Sequence, residues 1–128
     1  MDRLRQGKIV LTTFKDLGLA EPILETVRAE GYETPTPIQA KTIPMMIAGR
    51  DLVGIAQTGT GKTAAFVLPQ LHSMAKSRRR ASAKSATVLI LAPTRELATQ
   101  IAESIKVYGR ALNPSVAIVI GGAKPAPQ

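Results

Sequence analysis

The stretch Ala56-Gln57-Thr58-Gly59-Thr60-Gly61-Lys62-Thr63 concentrates residue types that handle phosphate. Gly59 and Gly61 allow backbone conformations closed to most residues, so successive N–H groups can turn inward and form a nest for anionic oxygens. Lys62 adds a mobile positive charge beside that nest, and the Thr63 hydroxyl is an oxygen ligand suited to Mg2+. The spacing fits the phosphate-loop pattern at every position but the first, where Ala56 replaces glycine. An ordinary glycine turn followed by a surface lysine would match by chance in a chain of 128 residues about once in a hundred. The pattern also makes a structural demand, since the loop has to leave a strand and open a helix.

The flanking sequence meets that demand. Residues 52–56 are a short apolar run, and from Thr63 to about Ala75 the pattern is helical. Upstream, Pro22 suits the first turn of a helix whose apolar face is Ile23, Leu24 and Val27 and whose end is Gly31. Thr36 and Pro37 read as the cap and first residue of a second helix, which carries Ile38, Met45 and Ile47 towards Gly49. Downstream, residues 76–85 are rich in serine, alanine and arginine with no apolar period, the mark of a solvated connection. Residues 87–91 then read as a buried strand, and Thr94 caps a helix with Leu97, Ile101, Ile105 and Tyr108 on one face. A third strand over residues 116–120 stops at Gly121 and Gly122. Strands alternating with amphipathic helices predict an α/β fold, a parallel sheet of about three strands flanked by helices.

A chain of 128 residues with 45% hydrophobic content can bury one core but not two. It has no cysteine, which excludes disulfide frameworks, thiolate metal sites and cysteine nucleophiles and fits a reducing compartment such as the cytosol. The apolar run at residues 9–11 is too short for a signal peptide or a membrane span, so no membrane role is expected. Seventeen basic residues against nine acidic give a net charge of +8, which favours polyanions such as RNA unless an acidic region elsewhere balances it. The run Arg78-Arg79-Arg80 does not discriminate, because such runs are usually solvated loops. His72, the single histidine, supports no metal cluster, and a surface or packing role is the ordinary one for it.

Upstream of the loop lies Gly31-Tyr32-Glu33-Thr34-Pro35-Thr36-Pro37-Ile38-Gln39, with Phe14 further back. A glutamine amide offers a donor and an acceptor side by side, which matches the N6 and N7 edge of adenine and mismatches guanine. An aromatic ring nearby can stack on the base, and Tyr32 is the better placed of the two. Taken alone, Gln39 reads as a surface helix residue, and Phe14 and Tyr32 as packing aromatics. Beside a phosphate loop they read as a base-recognition segment.

In these residues the chain resembles the DEAD-box ATP-dependent RNA helicases. That family has an upstream Phe, then Gly-aromatic, then Pro-Thr-x-Ile-Gln, here Phe14, Gly31-Tyr32 and Pro35-Thr36-Pro37-Ile38-Gln39. It also spells its phosphate loop as residues 56–63 do, Ala56 included. The resemblance runs from Phe14 to Gln128 and looks closest to bacterial members. It implies the N-terminal part of a first RecA-like P-loop domain over residues 14–128, behind a tail over residues 1–13. ATP and Mg2+ are the implied cofactors. Phe14, Tyr32, Gln39, Gln57, Thr58, Gly59, Thr60, Gly61, Lys62 and Thr63 would bind nucleotide, Lys62 and Thr63 with catalytic roles and Thr63 as metal ligand. Pro93, Thr94, Arg95, Gly121 and Gly122 would contact the RNA backbone, for which a helix N-terminus, a guanidinium and glycines are chemically suited.

Three departures limit what the resemblance implies. The family goes on to an Asp-Glu-Ala-Asp segment that holds Mg2+ and orients water, and no Asp-Glu pair occurs in these residues. Ser85-Ala86-Thr87 mimics a later family motif but stands ahead of Pro93-Thr94-Arg95, out of order. Pro125 and Pro127 also interrupt a segment that the family usually runs into a helix. The expectation is therefore a cytoplasmic ATP- and RNA-binding portion of a helicase that needs the rest of a helicase core for turnover, with a catalytically inactive nucleotide- or RNA-binding fragment, or a truncated remnant, as the alternative.

Overall fold

Thr13 caps the 3-10 segment Phe14–Leu17: its N–H and hydroxyl donate to the Asp16 carboxylate at 2.8 and 3.0 Å, and its carbonyl accepts from the Asp16 N–H at 3.0 Å. The computed structural model describes residues 12–77 and 80–122. The tail up to residue 11, the first two arginines of the basic run and the stretch from residue 123 onward lie outside the described residues. Helix α1 (Glu21–Ala29) opens on Pro22, whose fixed φ suits a first turn, and buries Ile23, Leu24 and Val27 as its spacing predicts. Gly31 follows at φ +83°, the left-handed conformation that ends a helix cheaply only with glycine.

Helix α2 (Pro37–Ile47) starts at the expected cap, where the Thr36 hydroxyl accepts from the Gln39 N–H. Its buried face differs from the expected one. Gln39, Thr42 and Ile43 turn inward at i, i+3 and i+4, while Met45 is exposed and Ile38 and Ile47 are only half-buried. Polar Gln39 and Thr42 tolerate that burial because each is hydrogen-bonded, Thr42 through its hydroxyl to the Ile38 carbonyl at 2.8 Å. Helix α3 (Lys62–Ser77) is the central element, burying Val67, Leu68 and Leu71 and packing against α1, α2 and α4. It runs past the expected end near Ala75, so the solvated connection begins after Ser77. Helix α4 (Arg95–Tyr108) is capped by Thr94, buries Ile101, and lays Leu97, Ile105 and Tyr108 against the core as expected.

The sheet is where the structure departs from the sequence reading. Among the described residues no strand forms, and residues 52–56, 87–91 and 116–120 carry no ladder. Their side chains nonetheless alternate with the period of a strand. Ile90 and Ala92 pack on the core, and Gly54 faces Ile38 and Thr42 of α2, whereas Val53 (90%), Ile55 (90%), Leu89 (80%), Leu91 (86%) and Val119 (77%) are exposed. A strand exists only through its partner's backbone, and in a parallel doubly wound sheet consecutive strands need not be neighbours. These segments keep the side-chain alternation of β-structure although no strand is formed among the described residues.

Candidate nucleotide site

The phosphate loop is shaped by its two later glycines, Gly59 and Gly61, both at φ +82°. Such a conformation turns neighbouring N–H groups to one side, and α3 begins directly afterwards at Lys62, adding its positive N-terminal end. The Lys62 ammonium donates to the Ala56 carbonyl at 2.6 Å, closing the mouth of the loop with its own backbone. Thr60 donates through its hydroxyl to the Gln57 carbonyl at 2.6 Å, a bond internal to the loop. Thr63 is half-buried one residue into α3.

Gln39 joins this loop to the upstream segment. Its Oε1 accepts from the Thr36 N–H at 3.0 Å, and its Nε2 donates to the Gly61 carbonyl at 3.1 Å. Gly61 is tightly enclosed as a result. A Cβ there would collide with Gln39 Nε2 and lie 3.1 Å from Cδ, so the position needs glycine for contact as well as for backbone angle. The tie between Gln39 and Gly61 is a contact that sequence reasoning missed. Its local half, the Thr36-x-x-Gln39 capping box, was legible in the spacing, but the partner across the fold was not.

These residues line a cleft of about 1120 Å3 that also takes in Phe14, Tyr32, Thr58, Gly59, Lys62 and Thr63. Gln57 and Thr60 are not among its walls. Phe14 is buried at 5% exposure in the core cluster, so only part of its ring reaches the cleft. Tyr32 is half-exposed and stands 6.4 Å from the Tyr108 ring at a tilt of 53°, a favourable aromatic arrangement. Burial, with lesser contributions from Tyr32 and Glu30, pushes the Tyr108 phenol up to about 12.

The expected RNA-contacting residues also converge. Pro93, Thr94 and Arg95 are exposed at the start of α4, where the Thr94 hydroxyl accepts from the Leu97 N–H at 3.1 Å. Gly122, at φ +81°, turns so closely beneath Arg95 that a Cβ would stand 3.2 Å from its Nη1, while Gly121 is open. The two segments, distant in sequence, thus form one exposed patch with a guanidinium at its centre. His72 lies elsewhere on α3, its Nδ1 accepting from the Ala20 N–H at 2.9 Å. Among the described residues no group of three or more His, Cys, Asp or Glu could hold a metal, and no helix is long and apolar enough to cross a membrane.

A family profile described as DEAD/DEAH box helicase matches residues 36–128. The chain belongs to the DEAD/DEAH box helicase family. It is 44% identical over 120 residues to the ATP-dependent rRNA helicase RRP3 of Ajellomyces capsulatus, covering 94% of this chain and 24% of that protein. Against the ATP-dependent RNA helicase DeaD of Escherichia coli the identity is 47% over 114 residues, covering 88% of this chain and 17% of that helicase. Fungal rrp3 of Aspergillus fumigatus is also 47% identical, so the expected leaning towards bacterial helicases is not supported. Among solved helicase structures, Prp28 from Chaetomium thermophilum bound to ADP superimposes with a TM-score of 0.81 at 40% identity, covering 91% of this chain and 28% of that one. A hypothetical ATP-dependent RNA helicase from Sulfolobus tokodaii gives 0.74 at 36% identity, covering 86% of this chain and 30% of that one. The chain therefore shares the fold of DEAD-box helicases and spans about a quarter of the length of the curated relatives it matches.

Proposed function

We propose that this chain is the N-terminal portion of the first RecA-like domain of a cytoplasmic ATP-dependent RNA helicase, binding ATP in the cleft between Gln39 and the phosphate loop. The observation that carries this reading is the bond from Gln39 Nε2 to the Gly61 carbonyl, which puts a base-reading amide and a phosphate nest in one cleft. Gln39 keeps a second Nε2 hydrogen and a second Oε1 lone pair, the pair that adenine's N6 and N7 edge would take. Tyr32, on the same cleft, offers its half-exposed ring to the base.

The loop residues divide the remaining work. N–H groups about Gly59 and Gly61 receive phosphate oxygens, Gln57, Thr58 and Thr60 hold the loop's curve, and Lys62 exchanges the Ala56 carbonyl for phosphate. Thr63 would hold Mg2+ through its hydroxyl, and the ion, when bound, neutralises phosphate charge. The fit is supported by the open space around Gly59, where a Cβ would meet nothing within 4 Å. Arg95, with Pro93, Thr94, Gly121 and Gly122, forms the RNA-facing patch, where a guanidinium and helix N–H groups contact phosphate irrespective of base.

These 128 residues include no Asp-Glu pair to orient an attacking water, which favours a second reading of them on their own, a nucleotide- and RNA-binding fragment without turnover. RNA and the remainder of a helicase core are the expected partners. A thermal melt with and without saturating Mg2+-ADP, with GDP as the base control, tests the proposal. Ligand at about a hundred times its dissociation constant adds about 2.7 kcal/mol, so a cooperative transition should rise with ADP and not with GDP. A cooperative melt that neither nucleotide moves would sink it.

A further inference from the structure

We propose that His72 is a positioning residue for nucleotide binding: its neutral imidazole pins the start of α1 to α3, and protonation of the ring releases that pin and weakens nucleotide affinity. The inference rests on the nucleotide reading above. The bond runs from the Ala20 N–H to Nδ1 at 2.9 Å, so Nδ1 must be unprotonated and the ring's hydrogen must sit on Nε2. Ala20 caps α1 and has no side-chain cap of its own. The path from Phe14 to Ala20 is thus held at both ends. At one end Phe14 reaches the nucleotide cleft, and at the other Ala20 is fastened to α3, the helix whose first residues are Lys62 and Thr63. Leu17 and Leu19, buried between these ends, make the segment a stiff link rather than a loose tether.

A protonated ring would set an N–H donor against the Ala20 N–H. Burial, then Lys76 one turn along the same helix, hold the imidazole below its ordinary value. On the helices packed against α3, the charged residues Glu21, Glu25 and Arg28, then Lys41, then Arg95, Glu96, Glu103 and Lys106 are all exposed, as are Lys15 and Asp16 of the 3-10 turn. The sign follows. The fold prefers the neutral ring, so the pin is complete above the ordinary histidine value and is lost as pH falls through the lowered one.

The test is the affinity of the full chain for Mg2+-ADP by calorimetry between about pH 5.5 and 8, for the wild type, H72N and H72F. Asn Oδ1 can stand where Nδ1 stands but does not titrate. The ADP phosphate itself protonates near pH 6, so the His72 effect is the difference between wild type and H72N. One hydrogen bond, transmitted in full to the site, sets a ceiling of about fivefold on the change in affinity. Wild type should therefore lose measurably more than H72N on acidification, by up to about fivefold, and H72F should be weaker than either at the upper pH by up to the same factor. Wild type and H72N running in parallel, with ADP bound, would overturn this inference alone. Nitrogen NMR of the ring is the second measurement, expected to show the Nε2–H tautomer with the Ala20 amide shifting as the ring titrates. An Ala20 amide indifferent to that titration also overturns it. No ADP binding at the upper pH, with the ring and Ala20 still titrating together, would instead remove the nucleotide reading and this inference with it.

Discussion

Gly61 and Gly59 have the same backbone angle but different surroundings, and that difference is measurable. Alanine at either position must adopt a left-handed conformation, at a cost of about 1–2 kcal/mol. At Gly61 the new methyl group also displaces the Gln39 amide, leaving the Gly61 carbonyl without its donor. We expect G61A to be less stable than G59A by about 1 kcal/mol in denaturant unfolding, the worth of one hydrogen bond. Equal midpoints for the two variants would mean that the tie between Gln39 and Gly61 does not contribute in solution. The tie also gives Gln39 a structural role, since it occupies a buried position with both ends of its amide engaged.

At the scale of elements, α2 and α4 begin where a threonine hydroxyl takes an orphan N–H, and α4 depends on this most visibly. The Thr94 hydroxyl accepts from the Leu97 N–H and at the same time stands in the exposed patch beside Arg95. Thr94→Ala should destabilise the chain by about 1 kcal/mol, seen as a lower unfolding midpoint with unchanged denaturant slope. Thr94→Ser, which keeps the acceptor, should restore most of it, and failure to do so would remove the capping role. By contrast the ion pair of Arg110 with Glu30, at 2.8 Å but with side chains 50% and 33% exposed, is worth well under about 1 kcal/mol and should fade with salt. The cap before α4 and the ion pair beyond its end thus differ in weight because one satisfies a backbone donor and the other is solvated.

For the molecule as a whole, the helices build the core from one side and leave Val53, Ile55, Leu89, Leu91 and Val119 exposed. Their side chains contribute little to the stability of these 128 residues. V53K or L89K should therefore shift unfolding free energy by no more than about 0.5 kcal/mol, whereas V67K, in the core, should abolish cooperative melting. A large loss on V53K would show that this face is covered in solution. At the same scale, the chain alone should show no RNA-stimulated ATP hydrolysis above background, because no Asp-Glu pair is present in these residues to orient water. A steady-state assay checks this, and turnover abolished by Lys62→Ala would reverse the expectation.

Local patterns were enough to place the four α-helices found among the described residues. Thr36 with Pro37, Thr94, Gly31 and Gly49 mark ends that depend on nearest neighbours, and apolar spacing marks the inner faces of α1 and α4. The phosphate loop was legible for the same reason, since its chemistry lies within eight consecutive residues. Beyond these, tertiary structure decided which face of α2 is buried, because Gln39 has to reach Gly61, a partner that no local spacing reveals. It also decided the fate of the three β-like segments. Alternation of apolar residues gives a segment two faces, but only a neighbouring backbone, which helices do not need, can turn it into a strand. His72 shows the same division: its position on α3 follows from the sequence, and its bond to Ala20 follows from the fold alone.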